Sequence, residues 1–125
     1  MSTEVLARVF VYGSLKRGFY NHGVLDDAEL LGTARTADAA FAMFNVGRYP
    51  AVRHTAERPI AVHGEVYAVS PNILADLDRL EGHPEYYTRQ QVEIEGHGPC
   101  WMYLINQIMP APRVESGIWE REHGG

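Results

Sequence analysis

The sequence is poor in three things. It holds a single cysteine, Cys100, among 125 residues, so no disulfide can form within the chain and a disulfide scaffold is excluded. No apolar run approaches the roughly 18 residues of a bilayer-spanning helix, and Met1 to Phe10 carries Glu4 and Arg8 where a secretory signal needs its apolar stretch. A cationic excess is missing too: 11 Lys and Arg stand against 16 Asp and Glu, for a formal net charge of −5. Nucleic acids and anionic membrane surfaces demand the opposite. These absences leave a reducing, cytoplasmic compartment and a small-molecule partner as the expectation, and they are silent on oligomeric state. With 46% hydrophobic and 22% charged residues, the composition fits one globular domain over residues 1–125.

Ala7 to Tyr12 is a β-branched and aromatic run stopped by Gly13, which reads as a buried strand followed by a loop over residues 13–18. Leu30 to Thr36, Ala40 to Val46 and Ile60 to Val69 are further strand candidates, and Tyr86 to Ile94 with Cys100 to Ile105 reads as a hairpin. Ser70 is a good N-cap and Pro71 suits the first helical position. Ile73, Leu74, Leu77 and Leu80 then recur at helical spacing until Gly82 and Pro84 end the helix. An α+β domain is expected, with a small, curved or closed mixed sheet and one main helix packed on it. Residues 110–125 are expected to be a peripheral tail, from which Ile118 and Trp119 can tuck back.

One acid on that helix stands out. At about 100° per residue, with Ile73 at zero, Leu80 falls near −20°, Leu77 near +40° and Leu74 near +100°. Glu81 falls near +80°, inside the apolar arc, whereas Asp78 and Arg79 point away. A carboxylate there is either desolvated, with its pKa raised further by the negative end of the helix dipole, or paired with Arg79 or Arg89. Every other acid is assigned to a surface or turn role. The second feature is the glycine loop after the first strand, because successive backbone N–H groups there form a concavity for a carboxylate or an oxyanion.

Other chemistries lack parts. Gly13 and Gly18 have the glycine spacing of a phosphate-binding loop, but Phe19 and Tyr20 stand where Lys and Ser or Thr are required. His63 and Glu65 with Pro99 and Cys100 approach a zinc-deaminase pattern, but Tyr103 occupies the second cysteine's place. The six histidines show no metal-ligand spacing, so no metal is expected. Ser14 has no nucleophile-elbow glycines around it, and Cys100, beside Trp101 in an apolar strand, reads as a core residue.

In combination, the segments Val11-Tyr12-Gly13-Ser14-Leu15-Lys16-Arg17-Gly18, Asn21-His22, Gly47-Arg48-Tyr49-Pro50-Ala51-Val52, Val62-His63-Gly64-Glu65-Val66-Tyr67, Leu77-Asp78-Arg79-Leu80-Glu81-Gly82 and Tyr86-Tyr87 with Arg89 resemble the γ-glutamylcyclotransferase-like family. The loop is most similar to the γ-glutamylamine cyclotransferase branch. The resemblance implies a β-barrel-like α+β fold enclosing a polar cavity, with Glu81 as catalytic acid/base. It also implies that Tyr12, Gly13, Ser14 and Leu15 hold the γ-glutamyl portion of the substrate, with Tyr87 and Arg89 near the pocket. The expected reaction is cyclisation of a γ-glutamyl amide to 5-oxoproline with release of an amine or amino acid, without metal or cofactor. Two other readings stay open: a binding module that keeps the cavity without catalysis, and a cyclotransferase that removes a γ-glutamyl protecting group from a biosynthetic intermediate.

Overall fold

A computed structural model describes residues 6–13, 15–19, 22–47, 49–107 and 110–120. Seven strands and one α-helix follow in the order β1 (Ala7–Val11), β2 (Glu29–Arg35), β3 (Phe41–Asn45), β4 (Pro50–His54), β5 (His63–Val69), α1 (Pro71–Glu81), β6 (Tyr87–Ile94) and β7 (Gly98–Ile105), with a short 3-10 turn at His22–Leu25 between β1 and β2. Five strands form one mixed sheet in the order β2-β5-β1-β7-β6, and β3 and β4 form a separate hairpin. Within the five-stranded sheet only β1 and β7 run parallel.

The large sheet curls until its two edge strands meet at one corner. Thr36 bridges Ile94, Ala37 N–H donates to the Glu93 carbonyl at 3.0 Å, and Glu95 N–H donates to the Arg35 carbonyl at 3.0 Å. Among the described residues the edges join only there, so the sheet is barrel-like without being a closed barrel. A bulge between Leu30 and Gly32 supports the bend, since an extra residue on one strand increases local twist. The hairpin of β3 and β4 covers the inner face through the Phe41–Ile60 bridge.

Strand β1 shows how the sequence is used. Phe10 faces an inner cluster with Phe41, Met43, Val66 and Met102, while Val9 and Val11 face an outer cluster with Leu25, Tyr67, Val69 and Leu77 of α1. A strand buried on both faces has no polar alternation, which is why residues 7–12 read as a continuous apolar run. Cys100 is buried in the inner cluster, and burial pushes its thiol pKa up.

The helix begins as expected: the Ser70 hydroxyl accepts from Ile73 N–H at 3.2 Å and Pro71 stands at its start. Its packed face differs from the apolar arc. Leu77 is buried, Ile73, Leu74, Asp78 and Glu81 are half-buried, and Leu80 is exposed. The face against the sheet is therefore centred near Leu77 and Glu81, and Asp78, expected to point away, turns toward the sheet. Hydrophobicity alone misplaced the centre because two of the inward positions, Asp78 and Glu81, are acids, and Asp78 turns inward to Arg89 and Tyr103.

Two further expectations need correction. The 110–125 segment is not a peripheral tail: Val114 is a core residue, and Trp119 tucks back into the core as the sequence allowed, held by Val114 N–H to the Met43 carbonyl at 2.8 Å and by His63 N–H to the Gly117 carbonyl at 2.9 Å. Ile118 stays at the surface. Glu65 is a buried acid, not a surface one. Its Oε1 accepts from Arg17 N–H at 2.8 Å and from the Tyr67 hydroxyl at 3.1 Å, and these donors replace the water it has lost.

Candidate active site

A cavity of about 590 Å³ opens between the C-terminal end of α1, the loop after β1, the start of β4 and the start of β6. Tyr12, Gly13, Leu15, Glu81, Tyr87 and Tyr103 line it. Ser14 lies outside the described residues. Arg89 does not line the cavity: its Nε donates to Asp78 Oδ1 at 2.9 Å and its guanidinium lies 4.3 Å from the Trp101 ring centre.

Glu81 is carried to the cavity by the helix end. Gly82, left-handed at φ 65°, donates its N–H to the Arg79 carbonyl, and His83 N–H donates to the Asp78 carbonyl. The chain thus turns away immediately after Glu81 and leaves its side chain at the cavity wall. Among the described residues neither Arg79 nor Arg89 neutralises it, because Arg79 pairs with Asp76 and Arg89 with Asp78. Desolvation is then unopposed and pushes the carboxyl pKa from 4.5 up to about 7. An acid with that pKa is divided between its two forms near neutral pH, the condition for both taking and giving a proton.

The three tyrosines have committed their hydroxyls. Tyr12 donates to the Tyr103 carbonyl at 2.5 Å, Tyr87 to the Pro50 carbonyl at 3.2 Å and Tyr103 to Asp78 Oδ1 at 2.6 Å. Burial, reinforced by Tyr87 and Glu81, raises the Tyr12 pKa well above the usual range. Burial and the Asp78 hydrogen bond act the same way on Tyr103. Both stay protonated and present ring surface to the cavity. Burial also acts on Asp78, but the hydrogen bonds from Arg89 and Tyr103 outweigh it and hold this carboxyl below its usual range. Asp78 therefore acts as a fixed anion that orients Tyr103. Tyr103 and Asp78 escaped sequence reasoning; the available signal was a tyrosine in an otherwise apolar strand, whose hydroxyl must find a partner when buried.

The loop is pinned from behind. Glu65 holds Arg17 N–H, Lys16 N–H donates to the Gly13 carbonyl at 3.0 Å, and Lys16 Nζ donates to the Trp119 carbonyl at 2.6 Å. Among the described residues no hydrogen bond satisfies the Gly13 or Leu15 amide N–H. A side chain at position 13 would meet the Pro50 ring, with an ideal Cβ 2.7 Å from Pro50 Cδ, so glycine lets the loop and β4 approach each other at the cavity floor. Among the described residues no group of three or more His, Cys, Asp or Glu could hold a metal ion, and no helix is long and apolar enough to cross a membrane.

A curled mixed sheet with one helix packed on it recurs in solved structures. Residues 9–121 match the family model "Gamma-glutamyl cyclotransferase, AIG2-like", and the chain belongs to that family. The gamma-glutamylcyclotransferase family protein YtfP of Escherichia coli is 34% identical over 114 residues, covering 90% of this chain and 95% of that one. The crystal structure of an AIG2-like protein from Mus musculus superposes with a TM-score of 0.75 at 31% identity, over 88% of this chain and 86% of the other. The solution structure of protein ytfP from Escherichia coli gives 0.69 at 33% identity, over 92% and 97%.

Proposed function

We propose that the protein converts γ-glutamyl amides, of the γ-glutamylamine type, into 5-oxoproline and a free amine, with Glu81 as the proton relay. One observation carries this reading: Glu81 lines the cavity with no ion pair to any described residue, and desolvation raises its pKa to about 7. A site that only bound a ligand would have no use for an acid tuned to neutrality.

The substrate supplies its own nucleophile. Attack of its α-nitrogen on the γ-carbonyl carbon closes a five-membered ring, so holding the chain folded provides effective molarity that no protein nucleophile need match. The new C–N bond closes the lactam and the old C–N bond to the amine breaks. Starting from the α-ammonium, two protons move from the α-nitrogen to the departing nitrogen. Glu81 takes and returns them one at a time, which requires an acid neither too strong nor too weak. The Gly13 and Leu15 amides donate to an anionic oxygen of the substrate, the α-carboxylate or the tetrahedral oxyanion. Tyr12 and Tyr87 wall the γ-glutamyl portion, with Ser14 in the same loop. Arg89 acts at one remove, by holding Asp78 against Tyr103.

The test is release of 5-oxoproline from γ-glutamyl amines and γ-glutamyl dipeptides, followed by mass spectrometry. Glu81→Gln is expected to lower turnover by about 10²–10⁴ with the fold intact; unchanged turnover sinks the assignment.

A further inference from the structure

Five large hydrophobic residues are exposed among those described: Leu6, Tyr49, Leu80, Tyr86 and Ile118. Three of them, Tyr49, Leu80 and Tyr86, line this one cavity. Tyr86 is 72% exposed, Tyr49 45% and Leu80 43%. They come from three separate elements: the segment before β4, the last turn of α1 and the residue before β6. Packing explains none of them. Leu80 has been rotated off the helix's packed face, and Tyr86 reaches over Gly82, where an added Cβ would stand 2.7 Å from the tyrosine ring. Apolar side chains gathered in water at the mouth of a cavity mark a surface meant to be covered. Among the described residues the cation beside them, Arg79, is tied to Asp76, so the ion pair offers little net charge to a ligand. The polar groups, Glu81 and the loop amides, lie with the γ-glutamyl end.

We propose that Tyr49, Leu80 and Tyr86 form the leaving-group subsite, and that the preferred substrates are γ-glutamyl amides of apolar amines, aromatic ones above all. This rests on the cyclisation reading given above. The γ-glutamyl head enters the cavity with its γ-carbonyl near Glu81, and the substituent on the amide nitrogen extends outward toward these three exposed side chains. There it lies against Leu80 and between two tyrosine rings. An amine bearing a carboxylate or a second ammonium would bring a charge onto this surface without a fixed partner among the described residues.

The experiment compares γ-glutamylbenzylamide, γ-glutamylmethylamide and γ-glutamylglycine as substrates for the wild type and Tyr86→Ala, reading kcat/KM from 5-oxoproline. The wild type is expected to favour the benzylamide over both others by about tenfold or more, as apolar contacts of this size do. Tyr86→Ala is expected to shrink the benzyl-to-methyl ratio severalfold. The Tyr86 side chain projects into solvent, so its loss leaves the core intact. A flat series, a preference for the glycine derivative, or a Tyr86→Ala loss equal on benzyl and methyl substrates overturns the subsite while leaving cyclisation standing. If no substrate yields 5-oxoproline, cyclisation fails, and binding then decides the subsite alone. N-benzylglutaramate and N-methylglutaramate lack the α-amine and cannot cyclise. Calorimetry should find the benzyl compound bound about tenfold tighter by the wild type and that advantage reduced in Tyr86→Ala. Equal affinities overturn the subsite.

Discussion

Replacing Glu81 by glutamine should make the protein more stable while it removes activity, and the gain should follow pH. In the unfolded chain the carboxyl titrates near its ordinary 4.5; in the folded protein it titrates near 7. Below about pH 4.5 both states carry the proton, glutamine imitates that neutral form, and the two proteins should be alike in stability. Between the two values the folded state keeps a proton that the unfolded state has released, so wild-type stability falls as pH rises. Above about pH 7 the folded protein carries a desolvated anion at full cost. Each tenfold change in proton affinity is worth about 1.4 kcal/mol, which makes that cost roughly 3 kcal/mol. For a domain of this size it corresponds to a Tm difference on the order of 10 °C. Thermal unfolding of both proteins by circular dichroism between pH 4.5 and 8 measures it directly, because every other titrating group is common to the pair. The Tm curves should converge at the acid end and separate through neutrality. Parallel curves would refute the claim that Glu81 is a desolvated acid. The same group should give the wild-type kcat/KM a rising limb centred near pH 7.

Three further outcomes follow from the geometry. Gly13→Ala brings a Cβ into the Pro50 ring, so it should lower kcat/KM at least tenfold as the loop shifts, while far-ultraviolet circular dichroism stays native; full activity would show that the loop amides are not used. Asp78→Ala strands the Tyr103 hydroxyl and the half-buried Arg89, and urea titration should report a loss of about 1–3 kcal/mol. Because Asp78 is held below its usual range, its contribution is present above the unfolded pKa and lost as pH falls through the folded one, so the deficit of the variant should shrink in acid. Cys100 is buried with its thiol pKa raised, so iodoacetamide at pH 8 should label it only as fast as the protein opens; rapid stoichiometric labelling would contradict its place in the core.

Local rules read the sequence well where one interaction decides the outcome. Ser70 and Pro71 marked the helix start because a hydroxyl acceptor and a missing N–H act within one turn. The hairpin of β6 and β7 followed from two strand-like runs around a glycine-rich turn, although β7 starts at Gly98 rather than Cys100 and β6 at Tyr87 rather than Tyr86. Ile60 joins its neighbour through an isolated bridge, so β5 is shorter than its apolar run. Strand β4 was legible only as part of the family resemblance, since Pro50 at its head hides a strand that β3 must pair to reveal. In the site, Glu81 was found by its position among apolar residues. The inward turn of Asp78 and the burial of Glu65 were not, because each depends on donors from other elements: Arg89 and Tyr103 for Asp78, and Arg17 for Glu65. Leu80 misled for the complementary reason, as an apolar residue at helical spacing whose neighbour in the fold is the cavity mouth.

The hydrogen bond from Lys16 to the Trp119 carbonyl ties the glycine loop to a residue 103 positions further along the chain. Contacts so distant in sequence form late, because the intervening chain must first be ordered. The helix and the hairpin of β6 and β7 can take shape from nearby partners, whereas the loop reaches its final geometry only when the segment around Trp119 has docked. Competence for chemistry should thus lag behind secondary structure during refolding, and a chain cut before Trp119 should retain much of its sheet while its loop keeps the Glu65 tie and loses the one to Trp119.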